Sequence, residues 1–240
     1  MLRRLAQLVA LPAIALLTLA PTGPARRAPA PAAAPAARGD WNNRITVTPG
    51  GGHMLGNPAA TVKLTEYASY TCSHCADFEV QANGALRISY IAAGRMSYEV
   101  RHYVRDPFDM TVAMLANCGV PSRFFLNHAA FMRSQRTWMQ LITDAGPATR
   151  ARWNTGTAVA RRRAIATDLH LYDIAATRGY DRTTAERCLA DEAMATRLAA
   201  QTEEGNRLQI TGTPSFLINN SLLLATYDWA TLRPQLAARF

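Results

Sequence analysis

Thr61-Val62-Lys63-Leu64-Thr65-Glu66-Tyr67-Ala68-Ser69-Tyr70-Thr71-Cys72-Ser73-His74-Cys75 decides how this chain is read. Residues 61–70 are rich in β-branched and aromatic side chains and alternate in polarity at first, which predicts a strand. Cys72-Ser73-His74-Cys75 follows at once. Beyond it Phe78, Ala82, Ala85, Leu86 and Tyr90 recur at helical spacing, and Gly94 can end that helix. Asn83-Gly84 interrupts the pattern and is where a kink would fall. A Cys-x-x-Cys is therefore expected where a strand hands over to a helix N-terminus.

That position has a chemical consequence. A thiolate at a helix N-terminus meets unpaired N–H groups and the positive end of the helix dipole, and both lower a thiol pKa. His74, protonated or as a hydrogen-bond donor, would add to this. Cys72 is expected to be the acidic, exposed thiol. Cys75, three residues into the helix, should lie below it on the same face and be less accessible. A disulfide between them can be attacked at Cys72 by a substrate thiolate, and Cys75 can resolve the mixed disulfide. Other uses of the motif fit less well. Zinc needs a second pair of ligands, and Cys118 and Cys188, seventy residues apart, form no CxxC or CxxH. Covalent haem needs a His after the second Cys, where the chain has Ala76. A purely structural disulfide closing so short a loop would constrain little of the unfolded chain. No metal and no organic cofactor is expected.

With Gly56-Asn57-Pro58-Ala59, Glu66, the Cys-x-x-Cys and a late Gly212-Thr213-Pro214-Ser215-Phe216, the chain resembles the DsbA-type periplasmic thiol:disulfide oxidoreductases of the thioredoxin-fold superfamily, from about Trp41 to the C-terminus. Ser73-His74 stands where that family usually has Pro-His. The resemblance implies an α/β protein: a thioredoxin fold with an inserted α-helical domain. It implies that Pro214 is a cis-proline packed across from the Cys-x-x-Cys, leaving the Thr213 backbone free to pair with an extended substrate. It implies that Glu66 is a buried acid beneath the active site, although a strand acid could also face solvent. Cys118 and Cys188 are what an active Cys72–Cys75 pair leaves over. In an oxidising compartment they are expected to bond, the alternative being two separate buried thiols.

The middle of the chain fits an insertion. Residues 96–104 alternate as a strand, which Asp106-Pro107 breaks. From Asp109 to about Arg207 the pattern is helical: Ser122 can cap a helix, residues 161–177 read as one helix, and Thr183-Thr184-Ala185-Glu186 reads as a capping box. Residues 215–219 and 221–226 read as a strand pair, and Asp228 caps a last helix. His102, His128 and His170 lack metal-ligand spacing and read as core or surface residues.

Composition narrows the setting. The chain has 240 residues, 49% hydrophobic and 18% charged, enough for a core and too apolar for a disordered protein. Net charge is +9, of which +4 falls in the first forty residues, and Arg161-Arg162-Arg163 is the only basic run, so no nucleic-acid partner is expected. Arg3, Arg4 and the apolar run Leu5–Ala20 read as an export signal, or as an uncleaved anchor. Five Pro and eight Ala between Pro21 and Asp40 read as a spacer. The expected organisation is a signal peptide or anchor at 1–25, a linker at 21–40, a first thioredoxin part at 41–108, a helical insert at 109–190 and a second thioredoxin part at 191–240.

The resulting expectation is a monomeric periplasmic enzyme that passes its Cys72–Cys75 disulfide to unfolded or newly exported cysteine-containing proteins. Phe, Met and Tyr side chains would form an apolar groove at the motif, and a membrane reoxidase would restore the disulfide. The alternatives are a disulfide reductase or isomerase of the same fold, or a non-catalytic exported binding or holdase module.

Overall fold

The computed structural model of the protein describes residues 40–240. The expected export signal and nearly all of the spacer lie outside them. Six strands form one mixed sheet in the order β1-β2-β4-β3-β5-β6. Their ranges are β1 Ile45–Val47, β2 His53–Gly56, β3 Val62–Ala68, β4 Met96–His102, β5 Ser215–Ile218 and β6 Ser221–Leu222. β3 and β4 are parallel, with Glu66 opposite Val100, and are joined by the helix α1, Ser73–Leu86. β5 lies antiparallel on the other side of β3, with Tyr67 opposite Ser215. The last helix, α10 (Trp229–Ala237), starts where Asp228 accepts a hydrogen bond from the Thr231 N–H.

Strand parity sorts the side chains of β3. Val62, Leu64 and Ala68 join the main core with Phe78 and Ala82 of α1, so Glu66 must point the same way. Tyr67 faces the opposite side and packs with Ile210 and Leu217. Both faces of this central strand are covered, as in parallel sheets generally. Phe78 of α1 meets Phe216 of β5 at 4.7 Å between ring centroids, which seats α1 directly behind the Thr213-Pro214 corner.

Between β4 and β5 come eight helices: α2 Pro107–Ala116, α3 Phe124–Arg133, α4 Gln135–Asp144, α5 Pro147–Asn154, α6 Ala158–Asp168, α7 Leu171–Thr177, α8 Arg182–Leu189 and α9 Glu192–Arg207. Their shared core includes Met114, Phe131, Trp138, Trp153, Ile165 and Leu189. The layer docks on the sheet through stacked rings. Phe124 lies between His53 of β2 (4.0 Å between centroids) and His128, and the His128 Nδ1 is 2.9 Å from the Tyr70 hydroxyl. Burial holds His53 near pKa 4 and His128 near 3, so this packing is uncharged at neutral pH. Cys118, after α2, is bonded to Cys188 of α8 at an S–S distance of 2.00 Å. No helix of the described residues is long and apolar enough to cross a membrane.

Several expectations need correction. β1 and β2 were not anticipated from the sequence; strands of three and four residues give too short a pattern to read. The expected strand at 221–226 ends at Leu222, and Ala225 bends the chain further with φ 52°. The expected helix at 161–177 is two, because His170 takes the left-handed conformation with φ 55°. Asp181, not the Thr183 box, caps α8 by accepting from the Thr184 N–H at 2.7 Å. Ser122 sits inside a 3-10 turn and caps nothing; Arg123 precedes α3 without a side-chain cap. Asn83-Gly84 does not kink α1, and the irregularity is a π-turn at Arg87–Ile91. Asp106-Pro107 is more than a strand break: Asp106 caps α2 and Pro107 occupies its first turn. Within the basic run, Arg162 pairs with Glu192 at 2.7 Å and Arg163 with Glu186 at 4.0 Å.

The bridge from Cys118 to Cys188 closes a loop over a sequence separation of 70 within the helical layer. On the loop-entropy model it stabilises by about 4 kcal/mol. Replacing both cysteines by Ala should lower the urea midpoint of the whole cooperative transition accordingly. An unchanged midpoint would mean that the bridge does not constrain the unfolded chain.

Candidate active site

β3 runs out at Ala68 and the chain turns through Ser69-Tyr70-Thr71 into α1, leaving Cys72 as the N-cap residue with φ −97° and ψ 118°. No acidic side chain occupies the first turn of α1. Because β5 pairs antiparallel with β3, the residues just before Ser215 arrive beside the end of β3. They are Thr213 and Pro214, joined by a cis peptide bond. The Cys72 thiol donates to the Thr213 carbonyl at 3.0 Å. The Thr213 N–H makes no hydrogen bond among the described residues.

Cys72 and Cys75 are both free thiols. Cys72 is 5% exposed and Cys75 1%, which corrects the expectation of an openly exposed nucleophile. The Thr213 carbonyl lies against the Cys72 sulfur at 3.0 Å. Electrostatics separate the pair far more sharply than accessibility does. Cys72 is lowered to a pKa of about 5. The largest cause is a hydrogen bond from the Cys75 thiol; burial opposes it, and the Thr213 hydroxyl, the Cys75 N–H and the charge of Arg105 assist. The Thr213 hydroxyl has no partner while Cys72 is a thiol and can turn its proton to the sulfur when the thiol ionises. Cys75 is pushed well above the ordinary thiol range by burial, then by its hydrogen bond and charge interaction with Cys72 and by Glu66.

His74 is exposed on the first turn of α1 and is not among the main causes that lower Cys72. Its charge is felt instead by Asp228, the cap of α10. Glu66 is 1% exposed and takes a short hydrogen bond from the Tyr98 hydroxyl of β4. Burial raises its pKa to about 8, helped by the charges of Glu79 and Cys72 and opposed by Tyr98. Glu79, one turn beyond Cys75, is a second buried acid; it accepts from Asn83 at 2.7 Å and pairs with Arg133 at 3.3 Å. Cys118 and Cys188 are bonded to each other in the helical layer, apart from this cluster.

Sequence reasoning missed the groups that hold the loop leading into Cys72. Gln135, the first residue of α4, donates from Nε2 to the carbonyls of Tyr70 (2.6 Å) and Cys72 (2.8 Å). Asp109 of α2 accepts from the Ser69 hydroxyl at 2.6 Å and the Tyr70 N–H at 2.7 Å. Burial lifts the Asp109 carboxyl to about 7 against those hydrogen bonds. Asp106 accepts from the Thr71 hydroxyl at 2.8 Å, and Arg105 donates to the Thr71 carbonyl at 2.6 Å. Asp106-Pro107 is itself a cap-and-first-turn signature that could have pointed to this corner. Gln135 carries no such signal. Phe78 is buried and does not line the expected apolar groove, and the exposed apolar side chains on the loop into Asp228 are Leu224 and Tyr227.

The family model described as Thioredoxin matches residues 48–238. A protein-disulfide isomerase structure from Novosphingobium aromaticivorans is 52% identical, covering 79% of this chain and 97% of that one, with a TM-score of 0.76. Alpha-DsbA1 of Wolbachia pipientis is 22% identical over 77% of this chain and 88% of that one, with a TM-score of 0.61, a likeness of fold alone. A Rickettsia typhi protein whose name describes a protein-disulfide oxidoreductase is 33% identical over 100 residues, 39% of this chain. That match spans 37% of the length of the Rickettsia protein. With its Cys-x-x-Cys at the N-cap of α1 and a cis Thr213-Pro214 bond beside it, the chain belongs to the thioredoxin family.

Proposed function

We propose that the protein introduces disulfide bonds into exported proteins by thiol–disulfide exchange through Cys72 and Cys75. The observation that carries this reading is the opposed pair of thiols, Cys72 lowered to about 5 and Cys75 raised by burial. In the oxidised protein a client thiolate attacks the Cys72 sulfur. The Cys72–Cys75 bond breaks as the Cys72–client bond forms, and Cys75 leaves as a thiolate. Glu66, protonated below about pH 8, is the buried acid placed to supply its proton. A second client thiolate then attacks the client sulfur of the mixed disulfide. The client disulfide forms, and Cys72 leaves as a stabilised thiolate. Two electrons pass from the client dithiol to the protein.

Direction follows from which state the surroundings stabilise. Only the reduced protein carries the Cys72 thiolate, so whatever stabilises it makes the disulfide easier to give away. A pKa of about 5 at pH 7 contributes about 60 mV toward an oxidising potential. The leader, with Arg3, Arg4 and Leu5–Ala20, supports a periplasmic location, cleaved or tethered. There the partners are cysteine-containing exported proteins and a membrane reoxidase, with the protein acting as a monomer. His74 is assigned to the rim that clients meet, and the Thr213 N–H to pairing with their backbone. The name of the Novosphingobium neighbour favours a second reading, an isomerase of the same chemistry. An equilibrium titration of the protein against glutathione tests the direction: an oxidant lies well above the glutathione couple, a reductase below it.

Two further outcomes are expected. Iodoacetamide should alkylate Cys72 in the reduced protein with a midpoint near pH 5 and leave Cys75 untouched, and Cys75→Ser should accumulate mixed disulfides with clients. A midpoint near 8 to 9, or equal labelling of the two thiols, contradicts the assigned roles. For Glu66 the folded carboxyl titrates near 8 against an ordinary 4.5. The folded state therefore binds more protons between these values, and the stability this contributes, complete below pH 4.5, is lost as pH rises through 8. Glu66→Gln should gain urea stability over the wild type between pH 5 and 8, by up to about 1.4 kcal/mol per pH unit, while slowing exchange. A difference that does not change with pH would mean an ionised Glu66.

A further inference from the structure

Arg105 ends the short loop that follows β4, directly before Asp106, the cap of α2, and it is exposed. Its position is fixed at both ends. The backbone N–H donates to the buried Asp109 carboxylate at 3.0 Å. At the far end a single nitrogen, Nη2, makes both of its side-chain bonds, to the Thr71 carbonyl at 2.6 Å and to the Thr71 hydroxyl at 3.0 Å. Thr71 is the residue before Cys72. The guanidinium is thus pinned beside the nucleophile while Nε and Nη1 keep their protons unassigned among the described residues.

No carboxylate among the described residues forms an ion pair with Arg105. Asp106, next in the chain, is occupied by the Thr71 hydroxyl and by the Asp109 N–H at 2.8 Å. Arg136, another cation close to the motif, is paired with Asp77 of α1 at 3.0 Å. His74 faces Asp228. A fixed, exposed guanidinium with unpaired Nε and Nη1 donors can take a carboxylate through one charge-assisted hydrogen bond, and one favourable charge changes encounter and docking by a few-fold.

We propose that Arg105 is a specificity-determining residue that selects client segments in which the reacting cysteine is flanked by an acidic side chain. The proposal rests on the exchange chemistry proposed above and adds the class of client that the site prefers. The client carboxylate takes one free guanidinium donor while the client sulfur lies over Cys72. The same charge contributes to the low Cys72 pKa, a second effect that acts on every client alike.

The test compares two peptides identical except for Asp or Lys beside one cysteine, each oxidised by the wild-type protein and by Arg105→Glu. The Asp carboxylate raises its own neighbouring thiol pKa, so the rates themselves mislead. The ratio of acidic-peptide to basic-peptide rate, compared between proteins, cancels each peptide's intrinsic reactivity and any general change at Cys72. The ratio should fall about fivefold or more from wild type to Arg105→Glu, and that fall should shrink in 1 M salt. Arg105→Lys keeps the charge and should stay close to the wild-type ratio, which distinguishes selection from a disturbed Thr71 loop. Exchange with an unchanged ratio overturns the role of Arg105 and leaves the exchange chemistry standing. No exchange with either peptide overturns both.

Discussion

The coupling between the Cys72 and Cys75 sulfurs is the interaction on which the rest of the site depends. It favours a negative Cys72 and, by the same contact, disfavours a negative Cys75. A thiol merely placed at a helix N-terminus would gain a modest shift. Here the second sulfur, the Cys75 N–H, the Thr213 hydroxyl and Arg105 act together and overcome burial, which by itself would raise the pKa. The acids lie on the other side of Cys75. Glu66 and Glu79 are both buried and both raised by burial; Glu66, at about 8, keeps its proton at neutral pH, whereas Glu79 pairs with Arg133.

Such an arrangement requires a rigid frame, and the helical layer provides one. Gln135 joins the carbonyls on either side of Thr71, Asp109 takes the Ser69 hydroxyl and the Tyr70 N–H, and His128 meets the Tyr70 hydroxyl. All three come from residues between β4 and β5, whereas the two cysteines come from the β3–α1 junction. The inserted helices are thus more than a cover for the sheet. They fix the backbone that aims Cys72 at Thr213, and the Cys118–Cys188 bond ties the end of α2, the helix that carries Asp109, to α8.

What could be read in the sequence was whatever local pattern encodes. The β3–motif–α1 run has a strand period followed by a helix period, and Asp228 sits at a cap position, so these elements were legible. The burial of Glu66 follows from its parity with Val62, Leu64 and Ala68, but only once both faces of β3 are known to be covered. The short strands β1 and β2, the left-handed break at His170 and the early end of β6 left no such period. The accessibility of Cys72 was misjudged because the Thr213 carbonyl that lies against its sulfur is 141 residues away. Gln135 and Arg105 act over separations of 63 and 34 residues and look like ordinary polar residues in the chain.

The central claim is that the surroundings of Cys72 stabilise the reduced protein more than the disulfide stabilises the oxidised one. Two magnitudes compete. A thiolate with a pKa of about 5 stabilises the reduced state by about 3 kcal/mol at pH 7. Closing a four-residue loop by the Cys72–Cys75 bond stabilises the oxidised state by about 2 kcal/mol on the loop-entropy model. The direct measurement is urea unfolding at pH 7 of the oxidised protein and of protein reduced only at Cys72–Cys75, with Cys118–Cys188 intact in both. The account predicts that the reduced form unfolds at the higher urea concentration. An oxidised form that outlasts the reduced one would contradict it.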